Sequence, residues 1–107
     1  MPGVDGYRAL ADPTRRQILK LLKEGDLPAG SIADQFEMSW PSVSRHLGVL
    51  AAAGLVTSTR RGQHLVYSLT TLVLADIVTE LADMARVKDA PPAKRPKARR
   101  TAANAPQ

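Results

Sequence analysis

Residues 39–56 read SWPSVSRHLGVLAAAGLV, and this stretch predicts a single helix that decides the fold. Ser39 is of a type that caps helix N-termini, and Pro41 is tolerated in a first turn, where its missing N–H is not needed. Because the residue before a proline avoids helical backbone angles, the helix starts either at Ser39 or at Trp40. Gly54 is the expected stop, so we predict a helix over 39–53.

The predicted helix has one apolar face and an opposite face of small and polar residues. The apolar side chains recur at spacings of four and three: Val43, Leu47 and Leu50. A rotation of about 100° per residue gathers on the other face Pro41, Arg45, Gly48 and Ala52, flanked by Ser42, Ser44 and Val49. A helix that enters the DNA major groove needs such a face, since small residues let the backbone approach while Arg45 reaches a guanine. The alternative is a solvent-exposed face of low bulk.

Upstream of this helix, cap and turn signals divide the chain into three shorter helices. Asp12 is a preferred N-cap and Pro13 suits the first helical position, so a helix begins there. Glycine and proline then act as stop and start signals. The predicted spans are 4–11, 13–24 and 28–36.

Downstream of the helix the pattern changes to a β-hairpin and one more helix. Residues 55–60 are rich in Val and Thr, Arg61-Gly62 marks a turn, and apolar residues alternate up to Leu69. Thr70 or Thr71 caps a final helix that runs to about residue 87. The fold class is therefore mainly α with a small β-hairpin, in the order α-α-α-α-β-β-α of a winged helix-turn-helix.

Charge separates the chain into two parts. The formal net charge is +5, which favours a polyanionic partner such as nucleic acid or an acidic membrane surface. Residues 1–88 hold ten Lys/Arg against nine Asp/Glu, whereas residues 89–107 hold five against one. We predict a folded domain over 1–88 and a disordered basic tail over 89–107.

No acidic residue falls between Met38 and Ala75, the span of the central helix and the hairpin. An acid-free span with several arginines favours a phosphate-facing surface. The candidate contacts to double-stranded DNA are Arg15, Ser39, Trp40, Pro41, Ser42, Ser44, Arg45, His46, Arg60, Arg61, Gln63 and His64.

Three of these candidates have a structural alternative. For His46 the favoured alternative is a hydrogen bond that ties its helix to a neighbour. Trp40 is equally consistent with core packing and with base contact. Of Arg15 and Arg16, one is expected at phosphate and the other in an ion pair with Asp12 or Glu24, while plain surface charge is equally consistent.

The last helix carries an apolar stripe: Leu74, Ile77, Val78, Leu81 and Ala85. Three further apolar residues of this helix also need burial: Leu72, Val73 and Met84. One thin domain cannot readily cover them all, so an exposed stripe indicates a partner surface and we predict a homodimer.

Residue usage argues against several other functions. The chain has no cysteine, which removes disulfides and thiolate chemistry. No apolar run is long enough to span a bilayer and no secretion signal is evident, so a cytoplasmic location is expected. Ser and His occur without an orienting acid or a nucleophile elbow, so neither an enzyme nor a cofactor is expected.

Three motifs in order, LADPTRRQILKLL (10–22), SWPSVSRHLGVLAAAGLV (39–56) and RRGQHLVYSL (60–69), closely resemble ArsR-type winged-helix repressors. The amino-acid sequence around Trp40 and in the hairpin is most similar to sequences of the sporulation-delay autorepressor subgroup. The resemblance covers roughly residues 5–86. It implies a homodimer built through the first helix, with Tyr7 and Leu10, and the last helix. It also implies a recognition helix at 39–53, a wing at 57–67 and repression relieved by an inducer.

The chain departs from the metal-sensing members of that family, which use paired cysteines or histidine and carboxylate ligands. Its two histidines are His46 and His64, and the last helix offers only carboxylates: Asp76, Glu80 and Asp83. Zinc usually needs two or three nitrogen or sulfur ligands, so no metal site is expected. The inducer or anti-repressor partner is not identified by the sequence. Two other hypotheses are a nonspecific architectural DNA binder and a winged-helix module that docks a protein.

Overall fold

The computed structural model describes residues 4–86, which form five helices and a three-stranded sheet. The elements are α1 (Val4–Leu10), α2 (Pro13–Lys23), β1 (Leu27–Pro28), α3 (Ala29–Ala33), α4 (Trp40–Ala52), β2 (Val56–Arg61), β3 (His64–Leu69) and α5 (Thr71–Ala85). This order confirms the predicted fold class. The predicted tail, 89–107, and the end of the predicted domain lie outside the described residues.

Side-chain caps set the starts of two helices. The Asp12 carboxylate accepts a hydrogen bond from the backbone N–H of Arg15 at 3.1 Å. The Ser39 hydroxyl accepts one from the backbone N–H of Ser42 at 3.4 Å, so Ser39 is the N-cap and α4 begins at Trp40. Each cap satisfies one N–H that the first helical turn leaves unpaired.

The sheet has the order β1-β3-β2, and both pairings are antiparallel. Gly62 has φ of +64°, the left-handed conformation that a tight turn needs, and the turn residues are 62 and 63. Strand β1 was not predicted. The helix expected over 28–36 is only Ala29–Ala33. It does not start at Pro28, because Pro28 is extended at φ −64° and ψ 152° and pairs with Val66 of β3. Beyond Ala33 the backbone forms turns, in which the N–H groups of Gln35 and Phe36 bond to the carbonyls three residues earlier.

The core lies between α2, α3, α4 and the sheet. Its fully buried side chains include Ile18, Ile32, Val43, Leu47, Leu50 and Leu55. All three residues of the predicted apolar stripe of α4 are therefore in this core. Their burial fixes which face of α4 points away from the protein.

Helix α1 packs closely against α5 at Gly6. A Cβ added at Gly6 would lie 2.9 Å from Cδ1 of Ile77, closer than side chains normally approach. Ile77 itself is 1% exposed. The prediction that Ile77 belongs to a dimer surface is corrected, because contact with α1 already buries this side chain within the protomer.

Among residues 4–86, no helix combines the length and the apolar character that a membrane crossing would require.

Candidate nucleic-acid interface

The outward face of α4 carries one long cation among small residues. Ser44, Arg45 and Gly48 are all exposed. Within residues 4–86, no side-chain hydrogen bond or ion pair engages the Arg45 guanidinium. Arg45 is therefore available to a molecule outside the protomer.

Gly48 has no structural reason, within the described residues, to be glycine. A Cβ added at this position would meet no atom within 4 Å. A glycine inside a helix costs about 1 kcal/mol of stability relative to alanine. The missing side chain therefore makes room for something other than the rest of this protomer.

The first turn of α4 presents polar and aromatic groups at the same end of the helix. The Ser39 hydroxyl donates a hydrogen bond to the Ser42 hydroxyl at 3.1 Å. Trp40 is 48% exposed and Pro41 is exposed. Of the two alternatives for Trp40, its position favours a surface contact over core packing.

The wing, defined as β2, β3 and their turn, projects basic and polar side chains from the sheet. Arg60, Arg61, Gln63 and His64 are all exposed. Arg61 and His64 are paired residues that close the hairpin next to the turn. A cationic hairpin end of this kind suits the phosphate backbone or the minor groove.

The half-buried Arg15 side chain makes three contacts within the protein. Its Nε donates to the Ala9 carbonyl at 2.7 Å, and its Nη2 donates to the Arg8 carbonyl at 2.9 Å. Its Nη1 lies 3.2 Å from Nδ1 of His46. The Arg15 guanidinium is thus directed at α1 and α4 within the protomer.

Arg16 has a similar role at the same helix end. Its Nη1 donates to the Leu10 carbonyl at 2.7 Å. The carbonyls in the last turn of a helix lack intrahelical partners, so the two arginines together satisfy the end of α1. The expected ion pair with Asp12 or Glu24 is replaced by these bonds to backbone carbonyls.

His46 faces the N-terminus of α2. Its Nδ1 lies 3.9 Å from the Asp12 carboxylate, and its side chain is 18% exposed. His46 therefore lies at a contact between α4 and the start of α2, as the predicted tie between neighbouring helices requires. The hydrogen bond from the backbone N–H of Arg15 lowers the pKa of Asp12, and the nearby positive charge of the Arg15 side chain lowers it further.

Helix α5 leaves an apolar stripe facing outward. We call the residues at spacings of four, three and four the outer stripe: Leu74, Val78, Leu81 and Ala85. Leu74 is half-buried, whereas Val78 is 59% exposed and Leu81 is 46% exposed. Met84, on the same helix, is 65% exposed. Four of the predicted dimer residues therefore form one continuous stripe.

The other two predicted dimer residues are on α1. Tyr7 and Leu10 are half-buried, and Leu10 packs partly against the core. The Tyr7 hydroxyl donates a hydrogen bond to the Glu80 carboxylate, which raises the pKa of Tyr7. This bond holds α1 beside the outer stripe of α5.

Within residues 4–86, no three His, Asp or Glu side chains come together in an arrangement that could hold a metal ion.

Comparison with known proteins identifies relatives that are named as transcriptional regulators. Residues 12–58 match the family model described as "Bacterial regulatory protein, arsR family". The transcriptional repressor SdpR of Bacillus subtilis is 50% identical over 72 residues, which are 67% of this chain and 80% of the relative. The HTH-type transcriptional regulator Rv2034 of Mycobacterium tuberculosis is 43% identical over 75 residues, 70% of each chain.

Solved structures that resemble this fold are also described as transcriptional regulators. The structure described as a possible transcriptional regulator for arsenical resistance has a TM-score of 0.73 and 31% identity, and covers 80% of this chain and 90% of that one. An ArsR family transcriptional regulator, RHA00566, has a TM-score of 0.69 and 28% identity, covering 73% and 86% of the two chains.

Proposed function

Because the chain belongs to the ArsR family of bacterial regulatory proteins, we propose that it is a transcriptional repressor that occupies promoter DNA as a homodimer in the bacterial cytoplasm. Helix α4 is the recognition helix in the major groove, and the wing contacts the backbone or the minor groove. The observation that carries this proposal is the outward face of α4. There Arg45 has no side-chain partner among residues 4–86, and Gly48 shares its face without any contact in that part of the chain that would require a glycine.

Base readout is assigned to α4 because its outward face fits the groove. Arg45 can donate two parallel hydrogen bonds to O6 and N7 of a guanine. Gly48 and Ser44 lie on the same face and lack the bulk that would hold the backbone away from the bases. The N-terminal turn, with Ser39, Trp40 and Ser42, supplies further contacts to bases or phosphates.

The wing is assigned to the phosphate backbone. Arg60 and Arg61 are exposed on a hairpin that lies in the acid-free span of the sequence. Contacts to phosphate position a protein on DNA without reading its sequence. The tail, 89–107, carries five cations against one acid and adds affinity of the same nonspecific kind.

The homodimer is assigned to the outer stripe of α5, together with α1. A row of exposed aliphatic side chains at heptad-like spacing is suited to a matching helix. A twofold axis at this stripe lets each copy supply the same surface to the other. Two recognition helices then meet successive major grooves of a palindromic operator, about 34–36 Å apart.

Repression is relieved in this proposal by an inducer or anti-repressor that is not a metal ion. The chain has no thiolate, and its carboxylates on α5 are accompanied by no histidine on that helix. Such a set is poor in the nitrogen and sulfur ligands that zinc prefers.

Selection from a pool of random-sequence duplexes tests the proposed function. The wild-type protein should enrich a palindrome whose half-sites are about one helical turn apart. The enriched duplex should then outcompete bulk genomic DNA in a gel shift by about a thousandfold or more. Enrichment of no sequence, with equal binding to all duplexes, would make the chain a nonspecific architectural protein. Failure to bind any duplex would leave a protein-docking module instead.

A further inference from the structure

One arginine connects three helices at the corner where α1 meets α2. The Arg15 guanidinium bonds to the carbonyls of Arg8 and Ala9 in the last turn of α1 and to the His46 ring in the middle of α4. Its own backbone N–H is held by the Asp12 cap at the start of α2. Each of the three guanidinium nitrogens bonds to a different one of these acceptors, whereas the three donors of an ammonium group all lie on one nitrogen and cannot reproduce this spread.

The contact between Arg15 and His46 has a defined direction. Arginine only donates hydrogen bonds, so Nδ1 of His46 accepts, and a neutral ring then carries its proton on Nε2. The charged group on the other side is the Asp12 carboxylate, 3.9 Å from the same nitrogen. The side of His46 that meets α2 is therefore occupied by protein groups.

The hydrogen bond between Arg15 and His46 restrains the orientation of α4, which the apolar core alone does not do. Val43, Leu47 and Leu50 hold α4 on the core by hydrophobic burial, which is not directional. A hydrogen bond to a fixed guanidinium is directional, and it acts on the residue next to Arg45. A small rotation or slide of α4 that the core would tolerate is opposed at His46.

We propose that Arg15 and His46 are positioning residues that fix the angle of the recognition helix relative to α1, and that neither touches DNA. This inference rests on the proposed function, because the angle matters only if α4 enters a groove. Helix α1 lies beside the proposed dimer stripe, so the pair also relates the recognition helix of each copy to the twofold axis. Base-reading side chains need placement within about 0.5 Å, so loss of the pair weakens specific binding first.

Two substitutions of His46 distinguish positioning from DNA contact. In His46→Asn the amide oxygen can take the place of Nδ1, whereas in His46→Gln the amide lies nearer to the place of Nε2. We expect His46→Asn to bind the selected operator within about threefold of wild type, and His46→Gln to bind it about tenfold more weakly. Binding to a nonspecific duplex should be unchanged in both, and thermal unfolding verifies that both variants fold.

The opposite pattern, with His46→Gln retaining operator affinity and His46→Asn losing it, would show a DNA contact through Nε2 and overturn the inference. Full affinity in both variants would also overturn it, because the hydrogen bond would then have no positioning effect. A wild-type protein that selects no sequence would refute the proposed function itself, and this inference with it.

Arg15→Lys provides an independent test, with Arg15→Ala as its reference. A phosphate contact would survive in the lysine variant, since an ammonium group also binds phosphate. A positioning role would not survive, because lysine cannot reproduce the fork. We expect both variants to lose operator affinity by about tenfold while the salt dependence of nonspecific binding stays the same. Recovery of operator affinity by lysine would overturn the inference.

Discussion

Helices α4 and α5 both turn a face away from the protomer, and the two faces are chemically opposite. The α4 face is small and cationic, with Arg45 and Gly48 exposed. The outer stripe of α5 is aliphatic, with Val78 and Leu81 exposed. The α5 stripe matches another apolar surface, while the α4 face matches a polyanion with a deep groove. One small domain thus presents two exposed surfaces of different chemistry, each suited to a different kind of partner.

The largest effect is expected from a charge in the outer stripe. Leu81→Asp would bury an unpaired carboxylate against the second copy, at a cost of about 3–5 kcal/mol. Sedimentation at micromolar concentration should show a dimer for the wild type and a monomer for the variant, with operator binding lost. Because Ile77 is buried within the protomer, a charge there would unfold the chain and would not test the dimer.

Leu72→Asp is the matched control for that variant. Leu72 is on the same helix and is 79% exposed, but its position in the sequence places it off the outer stripe. An acid in the first turn of a helix is also favoured by the helix dipole. Leu72→Asp should remain dimeric and bind the operator. A monomer in this control, or a dimer in Leu81→Asp, would contradict the assignment of the α5 face.

An effect of intermediate size is expected on the α4 face. Arg45→Ala should weaken operator binding by about 1–3 kcal/mol for each half-site and relax preference at one base position of each half-site. Repeating the duplex selection with the variant measures this directly. Lys20→Ala removes an exposed cation from α2 and should leave the selected sequence unchanged. An identical operator selected by Arg45→Ala would show that this arginine reads no base.

The wing arginines should act on affinity without altering base preference. Replacing Arg60 and Arg61 together by alanine removes four phosphate contacts from a bound dimer, two in each copy. The slope of log affinity against log salt should therefore fall by about four units in magnitude, one per contact. The double change Lys20→Ala with Lys23→Ala removes equal charge from α2 and should leave the slope nearly unchanged. A new base preference with the original slope would assign the wing to base readout.

The smallest effect is expected at Gly48, where one substitution should change stability and operator binding in opposite directions. Gly48→Ala should raise the free energy of unfolding by about 0.5–1 kcal/mol, since alanine is the better helix former and the added methyl has open space among residues 4–86. The same methyl should weaken operator binding. Gly30→Ala, at another helical glycine with open space, should leave operator binding intact. Unchanged affinity in Gly48→Ala would show that DNA does not approach α4 closely there.

Local signals were sufficient to predict most of the fold. Asp12 and Ser39 cap helices as expected, and the apolar periodicity of α4 identified its three core residues. Strand β1 was missed because it consists of two residues, one of them a proline, and shows no alternation. Its extended conformation depends on pairing with β3, a partner that local sequence does not reveal.

The residues of the candidate site also fall into two groups, those whose position local sequence predicts and those whose position depends on tertiary contacts. The exposure of Arg45 and of the wing arginines followed from spacing, because a regular helix or hairpin fixes where each side chain points. The role of Arg15 did not follow, since its partner His46 is 31 residues away and the contact exists only after α1, α2 and α4 have packed. Ile77 was placed on the wrong side of α5 because Gly6, which receives it, gives no apolar signal in the sequence.

The short β1 strand has a consequence for the order in which the chain folds during synthesis. Leu27 pairs with Tyr67, so the whole helix-turn-helix lies inside the loop that this pairing closes. Helical turns form from neighbours in sequence, whereas a contact across so long a loop must first overcome the entropy of closing it. The pairing of β1 with β3 can therefore form only after β3 has been synthesised, when α3 and α4 have already left the ribosome.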